Sequence, residues 1–497
     1  MVSPLRLMQA ALLWAASLLL LSPAGLAAEA PLSSFKTGDC LISSEGVTDV
    51  SRLFDGNALQ AVTVPDSAEL TFSDPQGFGA AYLIFDREYG PYTVSDPETG
   101  LGHSFGTQGF LHEYLDLEKA FGYAPKSIAL SFSSGQADIN ELTLFSPGPV
   151  PDSVQKWNAP REGETDLMVF SAHGDDEQLF FAGLLPDYAG EREYETLVVY
   201  LTNHRNLGSR RCHEMLNGLW SVGVTTYPIF GTFGDYFCRS GEQALAIHER
   251  NGQSKDAMLG FVVEQLRRYR PQVVVGHDAN GEYGHGQHML YSALVRQSVE
   301  AAEDPEQYPN LATAYGTWQV PKTYLHLWKE NPITLDFDRP LSRYDGMTAF
   351  QVSMKLGFPC HISQVGGITH LITGYDRAGD IPKYSPCEYG LYRTAVGPDV
   401  LEQDLFENLT SYRQQQIMAA FARNQEDSLA AMQTARSLAQ TRQHTKEQQE
   451  EAVMLQRRAE ALARRKARVR RRIHLAVFAV ISVSGLTILV LRKRKKK

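Results

Sequence analysis

Two short clusters hold the residues that can do chemistry. His173-Gly174-Asp175-Asp176-Glu177 follows the apolar run Leu167-Met168-Val169-Phe170, and Tyr283-Gly284-His285-Gly286-Gln287-His288 follows Val273-Val274-Val275. Zinc in a hydrolase takes three protein ligands, commonly imidazole and carboxylate, and keeps a fourth position for water. A second carboxylate beside it can take the proton from that water. His173 and Asp176 offer two ligands and His288 a third, with His285 one helical turn before it on the same face. A protonated imidazole at 285 can stabilise an oxyanion or protonate a leaving amine. Acidic loops after strands and histidines three apart are both common alone. Two such clusters at neighbouring strand ends are what make a shared site.

The elements that must position them alternate. Strands at 167–170, 196–201, 227–230 and 272–276 are separated or followed by helices at 209–221, 256–269 and 286–301. Strand–helix alternation predicts a Rossmann-like α/β domain with a doubly wound parallel sheet, here spanning 164–400. Such sheets place their sites at the carboxyl ends of strands, where both clusters fall. Residues 31–148 carry short β runs, among them Ala81-Tyr82-Leu83-Ile84-Phe85 and Glu141-Leu142-Thr143-Leu144-Phe145, divided by Gly, Asp, Pro and Ser clusters. They predict an all-β sandwich, joined through a Pro-rich linker at 149–163. Residues 401–472, rich in Gln, Glu, Ala and Arg, predict a helical stalk.

The segment from 164 to 395 resembles the PIG-L/LmbE-like family of zinc-dependent N-acetylglucosamine deacetylases. Ala172 to Glu177 matches its AHPDDE motif, Asn280 to His288 its NGxYGHPDH segment, and Arg211 with Glu214 its RxxE helix. The resemblance implies zinc, or another divalent metal, on His173, Asp176 and His288, with Asp175 as general base. It also implies oxyanion stabilisation or acid catalysis by Tyr283 and His285. Arg211, Gln287 and His361 then lie toward the sugar. Gly174 and Gly286 stand where the family has prolines. Gln287 stands where it has an aspartate, which puts the acid role of His285 in question. Val50 to Asn57 and Ile139 to Leu142 resemble discoidin-like, galactose-binding modules, which implies glycan binding by the sandwich.

The two ends read as targeting segments. Arg6, the apolar run 10–21 and the small residues to Ala28 have the layout of a signal peptide over 1–28. The apolar run 473–491 is about the length of one transmembrane helix, and 492–497 is a basic tail for the cytoplasmic side. Together they predict a single-pass protein of the cell membrane with its catalytic domain outside. Setting aside Arg6, the six tail cations and the seven between Arg464 and Arg472 leaves 33 basic residues of 47 against 57 acidic ones, which excludes nucleic acid as a partner. Five cysteines are too few for a disulfide scaffold and have no CxxC spacing.

These expectations combine into a surface-anchored zinc deacetylase acting on an N-acetylglucosamine-containing glycan or glycoconjugate. Two rivals remain: a glycan-binding surface protein with a degenerate deacetylase domain, and an amidase acting on a thiol conjugate.

Overall fold

A computed structural model describes residues 33–36, 38–364, 366, 369–423, 437–439, 441–443, 445–461, 463–464, 466, 468–470 and 477. The chain divides into two compact units, residues 1–413 and 414–497.

The first unit begins with two five-stranded antiparallel sheets. In one, Ala137–Phe145 pairs with Ala80–Phe85, which pairs in turn with His112–Asp116. In the other the order is Leu41–Ser43, Glu69–Ser73, Ser127–Ser131, Tyr92–Ser95 and Gly102–Phe105. Alternate residues such as Leu70, Phe72, Leu130, Leu83 and Leu142 point between the sheets and are fully buried.

A seven-stranded sheet follows: β1 (Leu167–Ser171), β2 (Thr196–Thr202), β3 (Ile229–Phe233), β4 (Val273–Gly276), β5 (Lys322–His326), β6 (Pro332–Thr334) and β7 (Glu388–Thr394). Their order is β3-β2-β1-β4-β5-β7-β6. Every residue of β1 is buried, because the sheet is covered on both faces. Leu167 and Val169 face one layer with Leu179 of α1 (Asp176–Leu179) and Met215, Leu216 and Leu219 of α2 (Ser209–Ser221). Met168 and Phe170 face another with Ala244 of α3 (Gly241–Arg250), Val262 and Leu266 of α4 (Lys255–Tyr269), and Leu290 and Leu294 of α5 (Gly286–Ala301). The chain moves outward from β1 through β2 to β3, then returns to the other side of β1 to build β4 and β5. The reversal leaves a crevice between the carboxyl ends of β1 and β4.

Two expectations need correction. The sheet is not wholly parallel: β7 runs antiparallel between β5 and β6, because it returns from the long excursion over 335–387. Nor is the transmembrane helix upheld. Among the described residues no helix is long and apolar enough to cross a membrane. The described helical residues of the second unit between 437 and 461 are mostly Gln, Glu, Arg and Lys, which are costly in a hydrocarbon core. The membrane contact expected through that helix falls with it. The run 473–491, but for residue 477, and the signal-peptide segment 1–28 lie outside the described residues. Among the described residues no disulfide joins any of the five cysteines.

Candidate metal centre and active site

Each cluster leaves its strand and enters a helix: Asp176 opens α1 (Asp176–Leu179) and Gly286 opens α5 (Gly286–Ala301), while α2 (Ser209–Ser221) brings Arg211 from the side. His173, Asp175, Asp176, Arg211, Tyr283 and His285 line one pocket of about 450 Å³, together with Leu179, Phe180, His204, Asp235 and Phe237. His288 lies directly beneath, fully buried.

At its floor three ligand atoms converge. His173 Nδ1 is 3.1 Å from Asp176 Oδ2 and 3.1 Å from His288 Nε2, and His288 Nε2 is 3.3 Å from Asp176 Oδ2. Ligands about 2.1 Å from a tetrahedral ion stand about 3.4 Å apart, so the triad has the spacing of a zinc site. The proton count agrees. Two imidazole nitrogens 3.1 Å apart share one proton at most, whereas a cation accepts a lone pair from each. Burial disfavours charge on His173 and His288, but Asp176 outweighs it, holding His173 well above its ordinary value and His288 at about 9. Burial likewise works against the Asp176 carboxylate, but His288 and His173 hold it far below the usual range. The site therefore favours positive charge around Asp176, which a bound dication supplies.

His277 also lies near Asp176 and His288. Its Nε2 accepts the Ala172 N–H at 2.9 Å and its Nδ1 faces Glu282 Oε2 at 3.0 Å, so it has no lone pair left for a metal. Glu282 organises this layer. Its carboxylate also meets His288 Nδ1 at 2.7 Å and His326 Nδ1 at 2.6 Å. A carboxylate behind a ligating imidazole fixes which nitrogen faces the metal.

Asp175 stands beside the triad. Burial and the neighbouring Asp176 raise its pKa against the pull of Arg211, whose Nη2 is 3.6 Å from Asp175 Oδ1. The loop that carries it is clamped at Gly174. The Gly174 N–H donates to His204 Nε2 at 2.9 Å, and its carbonyl accepts from Arg211 Nη2 at 2.6 Å. A proline would lack that N–H, and any side chain there would place its Cβ 1.9 Å from Met215 Sδ. Glycine at 174 is thus a fitted feature of this chain.

The opposite wall is Tyr283 and His285. Tyr283 adopts φ 45°, a left-handed conformation uncommon for non-glycine residues. Burial and the carboxylates of Asp176, Asp175 and Glu282 push its phenol far up, so it keeps its proton. Burial, with His173 and His288 close by, pushes His285 down to about 3. Its Nδ1 accepts the Gln287 N–H at 3.1 Å and caps α5, which leaves Nε2 as the only nitrogen able to donate.

Two residues expected at the substrate are elsewhere. Gln287 is fully buried and turns away from His285. Its Oε1 accepts the Tyr236 N–H at 2.8 Å, and its Nε2 donates to Gly234 O at 2.7 Å and Tyr291 OH at 2.8 Å. It therefore holds the 234–236 loop that presents Asp235, whose Oδ1 is 3.4 Å from His173 Nε2. His361, also fully buried, accepts at Nδ1 from Arg211 Nη1 at 3.1 Å and sets Nε2 3.3 Å from Glu177 Oε1. It backs Arg211 and does not line the pocket. Sequence reasoning assigned no role to Glu282, His277, His326, His204 or Asp235. The signal for His277 and His326 was there: each ends or directly follows a strand of the parallel core.

The sandwich packs against α2, the helix that carries Arg211, and against Tyr227 beyond it. His112 Nε2 is 2.9 Å from His213 Nδ1, Ser209 Oγ donates to Asp86 Oδ1 at 2.5 Å, and Phe110 stacks on Tyr227 with ring centroids 4.3 Å apart.

Residues 168–299 match the family model described as PIG-L: GlcNAc-PI de-N-acetylase. A 1D-myo-inositol 2-acetamido-2-deoxy-alpha-D-glucopyranoside deacetylase of Streptomyces avermitilis is 30% identical over 186 residues, 33% of this chain and 61% of that protein. The protein of the same name from Geodermatophilus obscurus is 30% identical over 32% of this chain and 60% of its own length. The chain thus spans about three fifths of these curated relatives. Among solved structures, the N,N'-diacetylchitobiose deacetylase of Pyrococcus horikoshii is 15% identical and covers 41% of this chain and 73% of its own. Its TM-score of 0.28 is too low to carry weight.

Proposed function

Because residues 168–299 form a PIG-L family domain, we propose that this chain is a zinc-dependent hydrolase removing the N-acetyl group from an N-acetylglucosamine-containing glycan or glycoconjugate. The observation that carries the proposal is the convergence of His173 Nδ1, Asp176 Oδ2 and His288 Nε2 within 3.1–3.3 Å of one another, with Asp175 alongside. A zinc ion held by these three supplies a Lewis acid for the attacking water and the acetyl carbonyl.

The chain's own residues do the rest. Asp175 takes the proton of the attacking water, its basicity raised by burial and tempered by Arg211. Tyr283, always protonated, donates its O–H toward the developing oxyanion. His285 donates from Nε2 as a neutral imidazole, because Nδ1 is committed to the Gln287 N–H. The amine leaves with the proton that Asp175 has collected. Leu179 and Phe180, both nearly buried, offer the inner apolar wall for the acetyl methyl group. The two curated relatives named above carry deacetylase names for a 2-acetamido sugar, which supports the substrate class.

The test is acetate release from N-acetylglucosamine and its short oligomers by metal-stripped and zinc-restored protein. Zinc-dependent release that Asp175→Asn abolishes is expected. Zinc-loaded wild type that releases no acetate from any N-acetyl sugar overturns the proposal.

A further inference from the structure

The geometry points to Phe237 as an aromatic platform for a second sugar ring, and hence to an oligosaccharide or glycosyl conjugate as substrate. The inference rests on the deacetylase reading above and extends it to substrate length.

Exposure along the pocket marks the way out. His288 is inaccessible, the His173 side chain is 12% exposed, that of Asp235 is 43%, and Phe237 is 64% exposed. The path can be followed ring by ring: the His173 and His285 centroids are 5.0 Å apart, and those of His285 and Phe237 are 5.2 Å apart. Phe237 therefore stands at the lip, two ring-to-ring steps from the triad. A group deacetylated at the triad extends its own pyranose past His285, and whatever is joined to that pyranose reaches Phe237.

A single exposed phenylalanine is ordinary on a protein surface. This one is held in place. The Arg239 guanidinium lies over its ring, 4.8 Å from the centroid, and Arg239 Nη1 donates to the Tyr283 carbonyl at 3.4 Å. The stack ties the lip to the residue placed at the oxyanion. The edge contact with His285 is T-shaped, with the planes at 84°. An aromatic ring fixed on one side and exposed elsewhere presents apolar area beside a polar pocket. The C–H face of a pyranose has the flat apolar surface to cover it, with its hydroxyls directed outward to solvent. The acetyl methyl does not need Phe237, because Leu179 and Phe180 form a buried apolar wall further in.

The experiment measures kcat/KM for acetate release from N-acetylglucosamine and from N,N'-diacetylchitobiose, using the zinc-loaded full chain, its Phe237→Ala variant and its Phe237→Trp variant. Wild type is expected to prefer the disaccharide. Phe237→Ala is expected to cut that preference about ten-fold, mainly through KM for the longer substrate, and Phe237→Trp to keep it. Bound zinc is measured alongside and is expected to be equal in all three. A wild type with no preference for the disaccharide, or a Phe237→Ala variant that keeps the preference, overturns the inference while leaving the deacetylase reading intact. Wild type that releases no acetate from either sugar overturns both.

Discussion

Glu282 Oε2 lies 2.7 Å from His288 Nδ1, and this one contact turns His288 Nε2 toward His173 and Asp176 at the candidate metal site. The same carboxylate reaches His277 at 3.0 Å and His326 at 2.6 Å, so a single buried charge orients three imidazoles, two at neighbouring strand ends and His288 in the first turn of α5. Glu282→Gln keeps the shape and removes the charge. Zinc affinity is expected to fall about 10- to 100-fold, measured by competition with a chromogenic chelator. An affinity unchanged within two-fold would show that Glu282 packs the site without tuning it.

The Gly174 clamp leads to a second expectation. Gly174→Ala drives a methyl group into Met215, which is fully buried and cannot withdraw to solvent. The expected loss is about 1–3 kcal/mol in urea denaturation, together with lower activity, since the loop carries His173 and Asp175. Making room with Met215→Ala in the same chain should recover part of that loss. The double-mutant cycle should therefore show coupling beyond 0.5 kcal/mol, roughly the limit of additivity for independent sites. Strict additivity would exclude the clash as the cause.

Gln287 invites the substitution that family resemblance recommends and the structure opposes. Its amide donates to Gly234 O and Tyr291 OH while accepting from Tyr236 N. Gln287→Asp can donate to neither and buries a carboxylate with no cation against it. Stability is expected to fall by about 2–4 kcal/mol, and KM to rise as the Asp235 loop loosens. Thermal denaturation with steady-state kinetics checks both. An aspartate variant more active than wild type would mean that Gln287 is a lost catalytic charge after all.

That contrast shows what was legible in the sequence. The β1 and β4 runs could be read because buried parallel strands are continuous apolar stretches, and the strand-end rule carried the eye to His173, Asp176 and His288. The antiparallel edge was hidden. β6 has three residues, and β7 follows some fifty residues with little regular structure, so neither leaves a periodic signal. Single residues brought together only by strand order were equally hidden: nothing in the chain says that His326 meets Glu282, 44 positions away, until β4 and β5 are known neighbours. Gln287 and His361 were drawn toward the substrate by proximity in sequence. At Gln287, helix geometry overrides proximity, because one step along α5 turns a side chain by about 100° and out of the pocket.

A last expectation concerns pH and lies outside the candidate metal centre. Glu113, on the strand His112–Asp116 beside the domain contact, is half-buried, and burial raises its pKa from 4.5 to about 7 against one hydrogen bond from the Phe110 N–H. A carboxyl that binds its proton more tightly when folded leaves stability untouched below the unfolded value near 4.5. It lowers stability as pH rises, until the cost is complete above about 7. The wild type should therefore lose on the order of 2 kcal/mol from this group between pH 4.5 and 7.5. Glu113→Gln keeps an oxygen for the Phe110 N–H and has no proton to lose. Urea denaturation at pH 5 and pH 8 should show the variant close to wild type at the lower pH and more stable at the higher one. Equal stability at pH 8 would mean that solvent reaches the Glu113 carboxylate freely, and the expectation would fail.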